Sequence, residues 1–183
     1  VDGRRLTRIF LPMSGRHNLR NALAVCAIAL NEGVSPEALA TGFADFKGLK
    51  RRQEVRGEAG GVIVVDDFAH HPTAVKETIR AVADRWPDRR LIAVFEPRSN
   101  SSRRKVFETA YAESFDEAAA VFLSAPPLRH NDRADDLMDP DVVIRKAREQ
   151  GIHAAAYQSA DELLPPLLDL LEPGDVALVM SNG

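Results

Sequence analysis

Cysteine is almost absent from this 183-residue sequence, in which Cys26 is the single example. One cysteine cannot form an internal disulfide, so the sequence favours a reducing compartment and a core held together by packing. No apolar run approaches the roughly 20 residues that span a bilayer, and no signal peptide opens the chain. These absences predict a cytoplasmic protein with no membrane partner.

A strong excess of one charge is also lacking. The sequence has 24 Lys and Arg against 27 Asp and Glu, which gives a formal net charge of -3. Such a balance creates no global basic field that would attract nucleic acid, so we do not expect nucleic acid as a partner. With 45% hydrophobic and 28% charged residues, the composition is that of a globular chain slightly longer than one typical domain.

Two helices are expected in the first quarter of the chain. Residues 4–11 predict a strand, and residues 15–30 have apolar side chains at helical spacing. The second helix has Ser35 as its N-cap and Pro36 at its first position, and ends near Phe46. A basic, glycine-containing run follows it, and we place a domain boundary there, between residues 1–48 and residues 49–183.

The remainder of the chain alternates between strands and helices. Gly60 and Gly61 separate two strand-like runs and are suited to a tight hairpin turn, which makes one strand antiparallel. After that hairpin, the regular alternation indicates an α/β fold with a mostly parallel sheet and helices on both faces. Helices are predicted over 72–84, 103–114, 139–149 and 160–170, and strands over 91–95, 119–123, 153–156 and 176–180.

Polar residues follow four of the predicted strands, at 66–71, 96–100, 124–127 and 181–183. Because parallel strands end at one edge of a sheet, these clusters are expected to lie together, where open α/β sheets bind ligands. Asp66 and Asp67 could hold a ribose, a metal or an ammonium group there, or could simply be hydrogen-bonded at a strand end. A metal at His70 and His71 is not expected, because adjacent histidines seldom converge on one ion.

Three motifs in order resemble the Mur ligases, ATP-dependent enzymes of peptidoglycan assembly. They are GRHNLRNALA at 15–24, DDFAHHPTA at 66–74 and FEPRSN at 95–100. The resemblance implies that residues 1–48 are the tail of a central ATPase domain. It also implies that residues 49–183 are most of a Rossmann-like C-terminal domain, whose last part is incomplete.

The resemblance implies an ATP site formed by five residues. His17, Asn18 and Asn21 match a His-Asn-x-x-Asn motif beside the adenine, Asp67 matches an acid that binds the ribose hydroxyls, and Arg52 matches a hinge arginine that approaches ATP. Two alternatives stay open: Asn18 as a helix cap, and Arg52 as a solvated charge of the linker.

His70 and Arg98 stand where the resemblance puts the amine-bearing substrate. An arginine offers a planar, two-pronged donor to a peptide carboxylate, and Ser99 and Asn100 are expected to support Arg98. The phosphate-binding loop Gly-x-x-x-x-Gly-Lys-Ser/Thr does not occur in the sequence, so the Mg²⁺ ligands are expected outside this chain. Without the N-terminal and central domains as partners, the chain alone is expected to be inactive, and no residue in it is assigned as catalytic.

Within the family, the sequence resembles members that join the tripeptide L-alanyl-γ-D-glutamyl-meso-diaminopimelate to UDP-N-acetylmuramate in peptidoglycan recycling. Members that add L-alanine carry Tyr in place of Phe68 and a His-Arg-Tyr-Thr-Arg-like run in place of residues 98–102. L-Alanine ligation is the alternative reaction. A non-catalytic nucleotide- or peptide-binding module is the alternative of another class, and a phospho-acceptor receiver domain would leave the first and third motifs unexplained.

Overall fold

Six strands form a single sheet in the computed structural model, which describes residues 5–126, 130 and 133–183. Across the sheet the order is β1-β2-β6-β3-β4-β5, with β1 antiparallel to β2 and the other neighbours parallel. The predicted α/β class and its mostly parallel sheet are therefore confirmed. The strands are β1 (Glu54–Ala59), β2 (Val62–Asp67), β3 (Leu91–Glu96), β4 (Ala120–Ser124), β5 (His153–Tyr157) and β6 (Val176–Ser181).

The β1–β2 hairpin turns at the two glycines that the sequence indicated. Gly60 and Gly61 have φ angles of 59° and 80°, and Ala59 pairs directly with Val62. Two central residues with positive φ give the turn whose twist matches that of antiparallel strands. A Cβ on Gly61 would lie only 3.0 Å from the Cβ of Pro173, so glycine is also required there for space.

Side-chain caps define the starts of several helices. The Ser35 Oγ accepts a hydrogen bond from the backbone N–H of Ala38, and Asp139 and Ser159 cap two later helices in the same way. The cap predicted at Ser35 is confirmed. The helices are α1 (Arg16–Asn31), α2 (Pro36–Asp45), α3 (Pro72–Arg85), α4 (Glu108–Ala112), α5 (Pro140–Glu149) and α6 (Ala160–Leu170).

The sheet has helices on both faces, as its alternating side chains require. On one face, α3, α4 and α5 cover a large core that includes Val65, Phe95 and Leu178, each fully buried. On the other face, α6 packs Leu163 and Leu167 over Ile92 and Phe122. The two layers hold the carboxyl ends of β2, β6 and β3 side by side.

Two predicted elements differ from the structure. Residues 5–11 form no strand, and in the described part of the chain they pair with neither edge of the sheet, so the prediction for 4–11 was wrong where the structure describes it. The helix predicted over 103–114 is broken into 3₁₀ turns on either side of α4. Near its end, the Ser114 Oγ lies 2.6 Å from the Ala110 carbonyl and 2.9 Å from the Pro72 carbonyl, and its single proton can be donated to either.

Helix α1 leaves apolar side chains on the surface. Leu19 and Leu23, which lie at helical spacing, are 55% and 61% exposed, and Val25 and Ile28 are also more than half exposed. The helix is anchored instead at its first turn, where Gly15 lies so close to α3 that a Cβ would come within 2.6 Å of the Ala81 Cβ. None of the helices in the described part of the chain has the length and hydropathy of a bilayer span.

Candidate functional site

A cavity of about 950 Å³ lies between α1, α2, the linker before β1, the end of β2 and the start of α3. Its walls include apolar side chains such as Val25, Leu39, Phe43 and Phe46. All five residues predicted to bind ATP line this cavity: His17, Asn18, Asn21, Arg52 and Asp67. The four residues predicted to bind the amine substrate do not line it, so the structure separates the two predicted groups.

Asp67 stands at the end of β2 with only 3% of its surface exposed. Its Oδ2 accepts a hydrogen bond from the backbone N–H of Gln53 at 2.8 Å, and its Oδ1 accepts from that of Ala69 at 2.7 Å. Burial raises the pKa of Asp67, while these two N–H groups and the charge of Arg52 oppose that rise. The carboxylate is thus fixed in orientation, and its remaining lone pairs can accept from a ligand hydroxyl.

Gln53 is a residue of this site that the sequence did not indicate. It is 6% exposed and has a φ of 51°, which is uncommon for a residue other than glycine. Its side-chain Oε1 accepts from the backbone N–H of Ser14 at 3.1 Å, and its Nε2 donates to the Ser14 carbonyl at 3.2 Å. Gln53 therefore connects the start of α1 to Asp67, and no sequence motif signals such a link.

The three motif residues of α1 have different environments. Asn18 is buried and donates from Nδ2 to the Ser14 carbonyl at 2.8 Å, while Asn21 is exposed at the cavity. Capping by Asn18, the alternative reading, is wrong, because Gly15 is the N-cap and has no side chain to cap with. The His17 Nδ1 lies 4.0 Å from the Glu77 Oε2 and has no hydrogen-bond partner among the described residues.

The two linker arginines lie against the same aromatic ring but have different surroundings. The guanidinium carbons of Arg51 and Arg52 are 5.2 Å and 5.4 Å from the centre of the Phe68 ring. Arg51 also donates from Nη2 to the Ser181 carbonyl, and its Nε lies 3.7 Å from the Asp66 Oδ2. Arg51 is therefore part of the sheet edge, whereas Arg52 is exposed and lines the cavity.

Arg98 and Ser99 lie at a second position, beyond the end of β3. The Arg98 Nε is 3.9 Å from the Glu96 Oε1, and the Arg98 side chain is 47% exposed. The backbone N–H of Ser99 donates to the Asn182 Oδ1 at 3.1 Å, and the Ser99 Oγ accepts from the N–H of Ser102 at 3.0 Å. The loop is therefore held by hydrogen bonds at Ser99, and it carries a cation at the carboxyl edge of the sheet.

The end of β6 and the residues after it contact the end of β3 and the loop that follows β3. The Ser181 Oγ donates to the Glu96 Oε2 at 2.8 Å, and a Cβ on Gly183 would lie within 2.6 Å of three Arg98 side-chain atoms. Asn100, the fourth predicted substrate residue, is exposed in this loop. Parallel pairing of β3 with β6, which puts Glu96 opposite Ser181, explains why the two segments meet.

His70 and His71 have different hydrogen-bond partners and do not converge. The His70 Nδ1 is 2.9 Å from the Phe68 carbonyl, whereas the His71 Nδ1 accepts from the backbone N–H of Thr73 at 3.4 Å. The His70 carbonyl accepts from the hydroxyl of Tyr111, whose pKa is raised by burial. Among the residues that the structure describes, no cluster of three or more histidine, cysteine or acidic side chains could hold a metal ion.

The six-stranded, mostly parallel sheet, with one antiparallel edge strand and helices on both faces, is a Rossmann-like α/β domain. The family model described as "Mur ligase, glutamate ligase domain" matches residues 51–183. The chain therefore belongs to the Mur ligase family, and the resemblance drawn from the three motifs is confirmed at that level.

Two of the similar proteins are ligases of different kinds. The chain is 35% identical over 183 residues to a UDP-N-acetylmuramate–L-alanine ligase of Nitratidesulfovibrio vulgaris, covering all of this chain and 40% of the relative. A murein peptide ligase structure from Psychrobacter arcticus is 32% identical with a TM-score of 0.70, over 96% of this chain and 36% of that one.

A third relative shows the fold alone. The UDP-N-acetylmuramate–alanine ligase structure from Thermotoga maritima has a TM-score of 0.76 and 19% identity, over all of this chain and 38% of that one. The chain thus spans about 40% of the length of the curated relatives that it matches.

Proposed function

We propose that the full-length protein is an ATP-dependent amide-forming ligase that joins the murein tripeptide to UDP-N-acetylmuramate through an acyl phosphate. Residues 1–48 would complete a central ATPase domain, and residues 49–183 would form most of the C-terminal domain. The exposed Leu23 and Ile28 of α1 are then part of the surface that the rest of the central domain covers. We expect the protein to act in the cytoplasm.

The grouping of the five predicted ATP-binding residues around one cavity is the observation that carries this proposal. The volume, about 950 Å³, is within the range of small-molecule sites. Asn21 offers an amide donor and acceptor to a purine edge, and Asp67 offers acceptor oxygens to ribose hydroxyls. Arg52 brings a positive charge that suits a phosphate.

ATP and Mg²⁺ differ in how well the described residues fit them. The cavity combines apolar walls with amide, carboxylate and guanidinium groups, which suits a nucleoside. Magnesium neutralises phosphate charge when it is bound in such ligases. The described residues offer no cluster for it, and the sequence has no phosphate-binding loop, so we assign its ligands to other parts of the full-length protein.

The tripeptide is favoured over L-alanine by the sequence of the second position. Phe68, the run Arg98-Ser99-Asn100 and the closing Ser181-Asn182-Gly183 resemble the recycling members of the family. Arg98 presents an exposed cation to a substrate that carries several carboxylates. L-Alanine ligation is the second candidate, supported by the 35% identity to ligases of that kind.

The decisive experiment measures ADP release by the full-length protein with ATP and UDP-N-acetylmuramate, comparing the tripeptide with L-alanine. Tripeptide-dependent release that Asp67→Ala weakens, and that the exposed control Asp84→Ala leaves intact, supports the proposal. Preference for L-alanine moves the protein to the alternative reaction. No turnover with either amine rejects ligation and supports a non-catalytic binding module.

The same assay applied to residues 1–183 alone tests the expected inactivity of the chain. We expect no ADP release from it, since the groups that grip the β- and γ-phosphates and Mg²⁺ are missing from its sequence. Ligation by the isolated chain would contradict the assignment of phosphate binding to other domains.

A further inference from the structure

The last residue of β6 and the residue after it contact the end of β3 and the loop that follows β3. Ser181 donates from its hydroxyl to the Glu96 carboxylate, and Asn182 accepts from the backbone N–H of Ser99. The bound residues flank Arg98 on both sides in the sequence. The end of β6 thus fixes the position of the chain on both sides of Arg98 through two hydrogen bonds.

The contact to Ser99 is the more restrictive of the two. The Ser181 contact holds a side chain at the end of β3, before the loop begins, whereas the Asn182 contact fixes the peptide group between Arg98 and Ser99 itself. Two further bonds extend the restraint, since the Ser99 Oγ accepts from the N–H of Ser102 and the Ser102 Oγ donates to the Ser99 carbonyl. Ser102 is 1% exposed, so this end of the loop is anchored in the interior.

The end of β6 is itself held in position by its neighbours in the sheet and by Arg51. Arg51 donates from its guanidinium to the Ser181 carbonyl, while β6 pairs with both β2 and β3. Asn182 therefore follows a strand whose position is set by two neighbours and one cation. By contrast, the Arg98 side chain is 47% exposed and has long, flexible torsions to restrain.

We propose that Asn182 is a positioning residue for the amine-bearing substrate, acting through Ser99 on Arg98. This inference rests on the proposed function, in which Arg98 anchors a substrate carboxylate. Asn182 sets where the guanidinium fork stands before the substrate arrives, and so lowers the entropy lost on binding. It acts on substrate affinity and leaves the nucleotide cavity unaffected, because Asn182 does not line it.

The test is a double-mutant cycle in the full-length protein, with the tripeptide as the varied substrate. Asn182→Ala is expected to raise the KM for the tripeptide by about threefold to tenfold, the scale of one hydrogen bond, with kcat and the KM for ATP unchanged. In an Arg98→Ala background the same change is expected to alter that KM by less than about twofold, since the residue it acts on is gone. Asn31→Ala, an exposed asparagine at the end of α1, is the matched control.

Three results would overturn the inference. Equal effects of Asn182→Ala in the two backgrounds would show that it does not act through Arg98. Parallel rises in the KM values for ATP and tripeptide, with a lower melting temperature, would show a merely structural role. If the wild-type protein ligates the tripeptide and Asn182→Ala leaves the KM for the tripeptide unchanged, this inference is rejected while the proposed function stands.

Failure of the proposed function has a different signature. If the wild-type protein ligates neither the tripeptide nor L-alanine, ligation and this inference fall together. If L-alanine is the substrate, the same cycle run on its KM retains the expected pattern, because L-alanine also carries a carboxylate for Arg98.

Discussion

The side-chain amide of Gln53 pairs with both backbone polar groups of Ser14, at 3.1 Å and 3.2 Å, across 39 residues of sequence. Its own backbone N–H binds Asp67. One residue therefore connects the start of α1 with the end of β2, and both elements contribute to the cavity. Gln53 keeps this role at a positive φ, which the three surrounding hydrogen bonds stabilise.

Replacement of Gln53 by Met should lower the free energy of unfolding by about 1–2 kcal/mol, because the Ser14 N–H loses its partner and the Ser14 carbonyl keeps only Asn18, while the side-chain volume is nearly kept. Denaturant unfolding of the 183-residue chain measures it. Gln150→Met, at an exposed position after α5, is the control. Equal stabilities for the two variants would show that the Ser14 contact contributes nothing.

Asp67→Asn should destabilise the chain by about 1–3 kcal/mol, since an amide NH₂ would oppose a backbone N–H that now donates to a carboxylate oxygen. Because burial raises the pKa of Asp67 above 3.8, the folded state binds its proton more readily than the unfolded state. The advantage of the wild type over Asp67→Asn should therefore be largest below pH 3.8 and shrink as pH rises through the raised pKa. Denaturant unfolding of the wild type and of Asp67→Asn, measured from below pH 3.8 to neutral pH, tests this dependence. A stability difference that grows as pH rises would contradict it.

Asp175 should show the opposite pH dependence. Arg90 donates to both of its carboxylate oxygens at 2.8 Å, and this lowers the pKa of Asp175 below 3.8. Its contribution is present above pH 3.8 and is lost as pH falls through the lowered value. Asp175→Asn should lower the melting temperature at pH 7 and much less at the acid end, and an equal loss at both ends would refute the assignment.

The two linker arginines should separate stability from nucleotide binding. Arg52→Ala is expected to weaken ATP binding by the full-length protein by about tenfold, the scale of one contact to a charged group, and to leave its melting temperature within about 1 °C. Arg51→Ala should lower the melting temperature, because it removes the contacts to Ser181 and Asp66. Isothermal calorimetry measures the ATP affinity of both variants, and thermal unfolding measures their melting temperatures. If Arg51→Ala weakened ATP binding and Arg52→Ala lowered the melting temperature, the two assignments would be reversed.

Local patterns were sufficient to predict most of the elements of this fold. Ser35-Pro36 marks the start of α2 and Gly60-Gly61 marks the hairpin, because caps and positive φ angles are properties of a few neighbouring residues. The alternation of strands and helices then predicted a mostly parallel sheet. Residues 5–11 show the limit, since alternating side chains make a strand only where another strand is available to pair with it.

Some residues of the candidate site were likewise predicted from local sequence, and others were not. Motif residues such as Asn18 and Asp67 were identified from the sequence, and the structure gathers them at one cavity, where their roles in binding ATP stay predictions. Gln53 was not identified, and Asn182 was placed only in the polar cluster at 181–183, which was expected to lie near the cluster at 96–100. Nothing local in the sequence indicates that β6 lies between β2 and β3 in the sheet, so the sequence could not specify the contact between Asn182 and Ser99.

The central position of β6 has a consequence for biosynthesis. Among the described strands β6 is the last to leave the ribosome, yet it is the one that joins the β1–β2 hairpin to β3, β4 and β5. Until it arrives, β2 and β3 each present an unpaired backbone edge, and more than a hundred residues separate β2 from the strand that will pair with it. Closing so long a loop is slow, so these two edges are open to aggregation until β6 is inserted between them.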